Sequence, residues 1–253
     1  MTANSSTVDS LRDSQREWHR QRLATLQAAD GWLTLIGLVW LDNGTHTVGT
    51  DPTCTIRLKD EQGEPSSHPA HWGRLEIDGT TAHWIDHEAR QSVLQTDRSG
   101  APTLIRHGPL SFLVIERDGA LALRVRDEHA RTRTAFSGIN LFPFDPNLQI
   151  TALWDGATAQ FSHQGIEYHL RPQNPAANPL HFVIADATSG KESYGGGRFL
   201  HIPAPQDGVL QLDFNRLINP PCAFTPFAVC PMPPAENRLP FAILAGEKPY
   251  PHT

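Results

Sequence analysis

The sequence has few of the features that mark nucleic-acid-binding, membrane or secreted proteins. Its 253 residues include 21 Lys and Arg against 27 Asp and Glu, which gives a net charge of -6. Because proteins that bind nucleic acids use clustered basic residues to neutralise phosphates, no nucleic acid partner is expected. The longest apolar run, residues 32–41, is about half as long as a membrane-spanning helix, so no membrane partner is expected either. The polar N-terminus shows no secretory signal, which predicts a cytoplasmic protein.

Cysteine is also scarce, with three residues in the chain. This small, odd number predicts reduced thiols rather than a disulfide framework. Cys222 and Cys230 are close enough in sequence to bridge if they are oxidised, whereas Cys54 lies far from both. The 13 histidines are scattered along the chain. Because they are not combined with cysteine or further histidine at the spacing of a zinc site, no metal and no cofactor is predicted.

Hydrophobic periodicity predicts a mainly β protein with one N-terminal helix. Apolar side chains recur at roughly helical spacing over residues 8–28, and the arginines among them are expected on a solvated face. Later in the chain, short apolar or alternating runs separated by turn residues predict an antiparallel β-sandwich or barrel-like sheets. The predicted division is a flexible tail (1–7), an amphipathic helix (8–28) and a single β domain (29–253), with two possible sheet halves (31–135 and 140–253).

Tight turns punctuate the predicted strands. An Asn-Gly or Asp-Gly dipeptide between two apolar or alternating runs is the strongest local signal of a β-hairpin. Three such dipeptides occur, namely Asn43-Gly44, Asp78-Gly79 and Asp118-Gly119. After the third, the alternation over residues 121–127 predicts a half-buried strand. Its two faces carry Leu121, Leu123 and Val125 on one side, and Ala122, Arg124 and Arg126 on the other.

The C-terminal arm, residues 219–253, is the most unusual part of the sequence. It contains nine of the 21 prolines and only four charged residues. Since proline fixes φ and donates no ladder hydrogen bond, most of the arm is predicted to be extended, polyproline-like chain. A strand is also predicted over residues 241–245. Because the arm is too apolar for a disordered linker, we expect it to fold back and pack over the rest of the protein.

Charged residues and glycines are concentrated just before and within the arm. Three consecutive glycines, residues 195–197, permit positive φ and let a ligand or a second chain segment approach the backbone closely. We predict that the arm closes over a polar pocket beside these glycines. The candidate catalytic residues are Asp213, Glu236 and Cys222. The candidate substrate-binding residues are Lys191, Glu192, Tyr194, Arg198, Asn215, Asn219, Asn237, Arg238 and Lys248.

The predicted pocket suits a small anionic metabolite and acid-base chemistry such as metal-independent hydrolysis. Arginine and lysine beside backbone amides can hold a carboxylate or phosphate group, the role assigned to Lys191, Arg198 and Arg238. Asp213 or Glu236 can transfer a proton, and the asparagines can orient the substrate. The sequence therefore predicts a hydrolase-like enzyme that binds a small anion.

Three alternatives stay open at this level. The charged groups can instead form ion pairs that pin the arm to the sheet. The protein can be a non-catalytic ligand-binding or interaction module, which would expose an apolar groove or a sheet edge. In the third alternative Cys222, held rigidly after Pro220 and Pro221, is a nucleophile, provided that a neighbouring group stabilises its thiolate.

Four segments near the C-terminus are distinctive as strings of residues. They read YGGGRFL (194–200), LDFN (212–215), NPPCAFTPFAVCP (219–231) and PPAENRLP (233–240). In these segments the chain resembles an uncharacterised bacterial and archaeal domain-of-unknown-function family, and the resemblance extends forward to about Trp18. The family has no assigned reaction, so the resemblance implies no catalytic role. It implies only that most of the candidate residues lie in segments characteristic of the family.

Overall fold

A computed structural model describes residues 5–59 and 69–251 of the protein. The fold is mostly β, with antiparallel sheets and one long N-terminal helix, as the sequence predicts. In the described residues the strands form four sheets, none of which closes into a barrel. The strands are β1 (Leu35–Leu41), β2 (Gly44–Gly49), β3 (Ile56–Arg57), β4 (Gly73–Asp78), β5 (Thr81–Asp86), β6 (Gln91–Leu94), β7 (Ile105–His107), β8 (Leu110–Arg117), β9 (Ala120–Asp127), β10 (Gln149–Trp154), β11 (Ala159–His163), β12 (Ile166–Leu170), β13 (Leu180–Ile184), β14 (Arg198–Ile202) and β15 (Val209–Asp213).

The N-terminal helix, α1 (Ser5–Gln27), begins earlier than predicted. Residues 5–7, assigned to a flexible tail, are helical, and residues 1–4 lie outside the described part of the chain. Most of its arginines are exposed and pair with acids three residues away, as expected of a solvated face. Arg22 differs, because its side chain is only 13% exposed. A second, short helix is α2 (Arg131–Thr134). No helix among the described residues is both long and apolar enough to cross a membrane.

The chain divides into two compact units. The central unit comprises Leu26–Phe136. The terminal unit comprises the residues up to Thr25 together with those from Ser137 onward. Each unit contains its own cluster of buried apolar side chains. The assignment of a single β domain to residues 29–253 stays a prediction.

The central unit is built from two sheets with strand orders β1-β9-β8-β7 and β3-β2-β4-β5-β6. Inward-facing residues from both sheets form one apolar cluster. Phe112 of β8 is fully buried in it, with ring centroids 6.2 Å from Trp72 and 5.2 Å from Trp84. Such aromatic contacts contribute about 0.5–1.5 kcal/mol each beyond the area that they bury.

Two of the three predicted hairpin turns connect paired strands. β4 pairs with β5 across the turn at Gly79, and β8 pairs with β9 across Asp118 and Gly119, which both have positive φ. The prediction for Asn43-Gly44 is wrong, because β1 pairs with β9 whereas β2 pairs with β4. The Asn43 side chain instead accepts a hydrogen bond from the amide of Gly79, at 2.9 Å. This dipeptide therefore carries the chain from one sheet to the other.

Strand β9 is buried on both faces rather than on one. Leu121, Leu123 and Val125 lie in the core, as predicted. On the opposite face Arg124 is only 4% exposed, and its guanidinium lies over the ring of Trp32 at 4.9 Å. The alternation of the sequence is present in the structure, but a second layer of side chains covers the face that carries the arginines.

The terminal unit contains a sheet of order β12-β11-β10-β15 and the two-stranded sheet β13-β14. Its core includes fully buried residues from these strands, for example Phe182 and Leu212. Leu239, Ile243 and Ala245 of the C-terminal arm belong to the same core. The arm is therefore folded back into the unit, as predicted.

Residues 241–245 do not form the predicted strand. Their backbone groups bond to side chains and, at the Phe241 carbonyl, to the Ala187 amide at 3.1 Å, and not to a neighbouring strand. The amide of Ile243 donates to the Asp186 carboxylate at 3.2 Å, and the carbonyls of Ile243 and Ala245 accept from Arg198. An apolar, β-branched run predicts a strand, but here buried side chains replace the ladder partner.

Candidate active site

The guanidinium of Arg198 lies in the interior of the terminal unit, where the residue has no solvent exposure. Its Nη2 donates to Asp186 Oδ2 and to the Ile243 carbonyl, each at 2.9 Å. Its Nη1 donates to the carbonyls of Ala245 and Glu247. Both Nη groups are thus used by the protein, three of the four bonds being to the arm. In this structure Arg198 pins the arm, and its role in holding an anionic substrate stays a prediction.

Asp186, two residues after the end of β13, also bonds to the arm. Its Oδ1 accepts from the amide and hydroxyl of Thr188, at 2.9 and 2.6 Å, and from the Ile243 amide. Burial lowers the pKa of the Arg198 guanidinium, while the charge of Asp186 opposes this effect. Because arginine stays protonated in proteins, the result is a buried, hydrogen-bonded ion pair.

A second buried carboxylate, Glu247, fastens the end of the arm. Its Oε1 pairs with Arg22 of α1 at 3.1 Å, and its Oε2 accepts from the Asn219 amide at 2.6 Å. Burial raises the pKa of Glu247, and Arg22 counteracts this. The Asn219 side chain donates to the Lys248 carbonyl at 2.7 Å. These contacts give Asn219 a structural role in the arm rather than the predicted role in orienting a substrate.

The side chains of the other two candidate asparagines also form hydrogen bonds with backbone groups. The Asn215 side chain exchanges hydrogen bonds with both backbone groups of Asp145, each at 2.9 Å. The Asn237 side chain accepts from the Arg171 amide and donates to the carbonyls of Arg171 and Val183, all at 2.8 Å. Since both residues are fully buried, they hold chain segments together and are not available to a substrate.

The carboxylate of Asp213 has little capacity left for proton transfer. Oδ1 accepts from the amide and the side chain of Asn215, at 3.1 and 3.0 Å. Oδ2 accepts from Gln149 at 3.0 Å and pairs with Arg216 at 3.3 Å. A carboxylate offers about four acceptor positions, and here the protein fills them. Asp213 is therefore a poor candidate for the base in this conformation.

The remaining charged candidates lie at the surface. Lys191, Glu192 and Arg238 are exposed. Glu236 is 45% exposed and lies 3.5 Å from Arg171. The ammonium of Lys248 lies 5.3 Å from the ring centre of Phe142. The structure brings the arm to the three glycines, residues 195–197. The side chains of Lys191, Glu192, Glu236 and Arg238 lie at the surface and are not gathered around the buried Arg198.

The three glycines make room for Tyr194 and for the arm. A Cβ atom on Gly196 would lie 2.7 Å from the Tyr194 ring. Gly197 has φ of +86°, and a Cβ there would lie 2.9 Å from the Ile184 carbonyl and 3.3 Å from Pro233 of the arm. Only glycine fits such close approach without a shift of its neighbours. Of the two predicted uses of the triplet, the approach of a second chain segment occurs at Gly197, and the approach of a ligand stays a prediction.

Tyr194 is held against a pair of cysteines in the arm. Its hydroxyl donates to the Cys222 carbonyl at 3.2 Å, and the Cys222 amide donates to the sulfur of Cys230 at 3.3 Å. Both cysteines are reduced and half-buried. Cys222 lies in the turn Pro221–Ala223, which follows Pro220. The prolines restrict the backbone, so the thiol of Cys222 is fixed beside the second thiol and the phenol.

The environment of Cys222 favours its thiolate. A hydrogen bond from Cys230 lowers the pKa of Cys222 to about 6, helped by the Tyr194 hydroxyl and opposed by burial. Burial and the neighbouring thiols raise the pKa of Tyr194, so that the phenol stays a donor. Cys54 shows the opposite effect, because burial and Asp51 raise its pKa. At neutral pH Cys222 is therefore the cysteine suited to nucleophilic attack.

A cleft of about 320 Å³ lies beside β14 and β15. Its lining includes His201, Asp213 and Arg216, and it adjoins a second cleft of about 440 Å³ that shares Ile202 with it. The ring of His201 stacks on His181, with centroids 4.7 Å apart. Burial and the neighbouring His201 lower the pKa of His181 to about 4. A polar ligand of modest size could occupy this cleft.

Sequence reasoning missed several partners of the site. The spacing of the cysteines predicts only that Cys230 can bridge to Cys222. The pattern of α1 predicts a solvated face for Arg22, whose side chain instead pairs with Glu247. Asp186, two residues after the apolar strand β13, is the partner of Arg198 that the sequence reasoning did not pair with it. No local pattern in α1 indicates that Arg22 reaches Glu247.

Comparisons with known proteins support the resemblance seen in the sequence. Residues 154–248 match a family described as "Protein of unknown function (DUF1684)", so similarity to an uncharacterised family is confirmed. The matched residues include the glycine triplet, Tyr194, Cys222 and Cys230. An uncharacterized protein of Haloarcula marismortui with a solution NMR structure is 29% identical over 46% of this chain and 78% of its own, with a TM-score of 0.39. No curated protein matches the chain.

Replacing Arg198 tests its role as the anchor of the arm. We expect Arg198→Met to lower the free energy of unfolding by about 3–5 kcal/mol, because the change leaves the Asp186 carboxylate buried without its partner. Arg20→Met, which removes an exposed ion pair of α1, should cost less than about 1 kcal/mol. Urea unfolding measures both values. Equal, small losses in the two variants would show that the buried pair does not anchor the arm.

The half-buried His181 predicts that the free energy of unfolding falls as the pH is lowered. Its folded pKa of about 4 lies below the ordinary value of 6.5, so between these values the unfolded chain binds more protons. Stability contributed by the neutral ring is complete above pH 6.5 and is lost as the pH falls towards 4. After allowance for partial exposure, the loss amounts to about 1–2 kcal/mol.

Thermal unfolding between pH 7 and pH 4 tests this dependence. His181→Phe keeps a ring in place but removes the titration, so the acid loss should shrink. His163→Phe changes another ring that stacks on an aromatic side chain of the same unit, and it serves as the control. A pH profile of His181→Phe that matches the native profile would contradict the assignment.

Proposed function

We propose that this protein is a thiol-dependent enzyme that performs thiol-disulfide exchange through Cys222 and Cys230. The observation that carries the proposal is the contact between the Cys222 amide and the Cys230 sulfur at 3.3 Å. It places the Cys230 sulfur against the backbone of Cys222, in a segment stiffened by proline, and both cysteines are reduced. Among the candidate residues, the acid-base and anion-binding groups are bonded within the protein or lie at the surface, whereas the thiol of Cys222 is both activated and half-buried.

The acidity of Cys222 supports a nucleophilic role. The thiolate is the reactive form of cysteine, and an attacking thiol works best when its pKa is near the ambient pH. The pKa of about 6 keeps most of Cys222 ionised at neutral pH without making it a weak nucleophile. Tyr194 acts as a positioning residue, because its hydroxyl holds the Cys222 carbonyl.

The proposed reaction uses a small disulfide as the co-substrate. The Cys222 thiolate attacks one sulfur of the disulfide, which forms a mixed disulfide and releases one thiolate. Cys230 then loses its proton and attacks the Cys222 sulfur, which closes the Cys222–Cys230 disulfide and releases the second thiolate. The protein is oxidised by two electrons, the disulfide is reduced, and the two released thiolates take up the two protons that the cysteines lose.

Hydrolysis of a small anionic metabolite stays a prediction from the sequence. If it occurs, the cleft beside β14 and β15 is the place for it, since Asp213 and Arg216 line that cleft. A non-catalytic binding module is the alternative without chemistry. A cytoplasmic location, with neither nucleic acid nor membrane as partner, is part of the proposal and agrees with the need to regenerate the dithiol in a reducing compartment.

Alkylation and oxidation of the native protein test the thiol proposal. Iodoacetamide should label Cys222 with a midpoint near pH 6, and glutathione disulfide should convert the wild type to the Cys222–Cys230 disulfide. In Cys230→Ser the reaction should stop at a mixed disulfide on Cys222, and in Cys222→Ser neither product should form. Cys54→Ser should behave like the wild type. Mass spectrometry of peptides identifies each product.

Two outcomes would contradict the proposal. Labelling of Cys222 with the midpoint of an ordinary thiol, near pH 8.5, would remove the activated nucleophile. Formation of a stable mixed disulfide in the wild type would show that Cys230 does not resolve it. Tyr194→Phe provides a further check, because loss of the phenol should raise the labelling midpoint of Cys222 while the protein stays folded.

A further inference from the structure

A row of polar side chains crosses the sheet β1-β9-β8-β7 of the central unit. Arg106 of β7 is opposite Ser111 of β8, and Ser111 is opposite Arg126 of β9. Directly opposed residues point to the same face of an antiparallel sheet, so the three side chains are neighbours. The face is the one opposite the core residues Leu123 and Val125. Two cations thus flank a hydroxyl group within one central unit.

These side chains line a cavity of about 220 Å³. Pro102, Leu104 and Leu113 form apolar parts of its wall, and Arg106, Ser111 and Arg126 form polar parts. At about 30 Å³ for each water molecule, the volume accommodates a ligand of roughly seven non-hydrogen atoms. A cavity that combines apolar walls with a few convergent polar groups is typical of a small-molecule site.

Two of the three nitrogen atoms of the Arg126 guanidinium lack an acceptor inside the protein. Its Nε and Nη1 are buried without a hydrogen-bond partner, and no ion pair to Arg126 occurs among the described residues. Arg106, by contrast, is paired with Glu128. Burial lowers the pKa of Arg126, and Asp30 only partly opposes this effect. Burying cationic donors without acceptors is costly, so such groups require a partner.

We propose that this cavity binds the carboxylate of a short aliphatic acid. The carboxylate accepts hydrogen bonds from the Arg126 guanidinium, and the hydroxyl of Ser111 donates to it from the same row. Leu104, Leu113 and Pro102 contact the alkyl group. Arginine suits this role because its planar guanidinium offers several fixed donors to a carboxylate. The site is separate in sequence and in unit from the cysteine pair and does not depend on the thiol proposal.

Asp30 also lines the cavity, and its charge allows a more specific test of the proposal. Its carboxylate is exposed and acts electrostatically on Arg126. An anionic ligand would be repelled by Asp30 and attracted by Arg126. Removing either charge therefore changes affinity in opposite directions, which a general loss of folding cannot imitate.

Calorimetric titration of the whole protein with isovalerate tests the site, with isovaleramide as the neutral ligand of similar shape. We expect saturable binding of the acid and at least tenfold weaker binding of the amide, about the effect of one charge-assisted hydrogen bond. Arg126→Gln should weaken binding of the acid by about tenfold or more. Asp30→Asn should strengthen it, and Arg74→Gln, a change at an exposed arginine of the same unit, should leave it unchanged.

Three results would overturn the inference. The first is no saturable binding of isovalerate by the wild type. The second is equal binding of the acid and the amide, which would show that the cavity recognises only the alkyl group. The third is a weaker affinity in Asp30→Asn. If Arg126→Gln does not fold, Asp30→Asn and the pair of ligands still decide the question.

Discussion

The buried guanidinium of Arg198 is the interaction on which the terminal unit depends. It donates hydrogen bonds to the carboxylate of Asp186 and to three carbonyls of the arm. A charge in the interior is tolerated only when it is paired and its donors are bonded. Residues 241–245 form no strand, and Arg198 bonds the carbonyls of Ile243 and Ala245. Asp186 neutralises the charge of Arg198, and the arm supplies the other acceptors for its hydrogen bonds.

This anchoring explains how a segment rich in proline can position a chemical group. Proline removes backbone donors, and the part of the arm that the structure describes forms no strand. It is held by separate backbone hydrogen bonds, such as those from the amides of Leu239 and Glu247, and by the buried side chains of Arg198 and Asp186. Gly196 and Gly197 let Tyr194 and the arm approach each other closely. Cys222 and Cys230 lie in the part of the arm before Pro233. There the Cys222 amide donates to the Cys230 sulfur at 3.3 Å.

Local patterns in the sequence could predict much of the fold but little of the site. Alternation and Asp-Gly turns predicted the hairpin of β8 and β9, because both signals act within a few residues. Burial of Arg198 could not be predicted, since it depends on the Ala245 carbonyl 47 residues away. The alternation in β9 likewise predicts an exposed face for Arg124 and Arg126, because a local pattern does not show that the distant Trp32 covers Arg124. The spacing of the cysteine pair is visible in the sequence. Its environment also includes Tyr194, which lies 28 residues before Cys222 and donates to the Cys222 carbonyl.

Hydrogen exchange of the arm amides in the native protein tests the central claim most directly. The amide of Ile243 is bonded to Asp186 and that of Glu247 to the Leu217 carbonyl. If the arm is locked by the buried ion pair, both amides exchange as slowly as those of β13 and β14, through unfolding of the whole unit. Exchange of both amides at the rate of an unstructured chain, while β14 remains protected, would contradict the account.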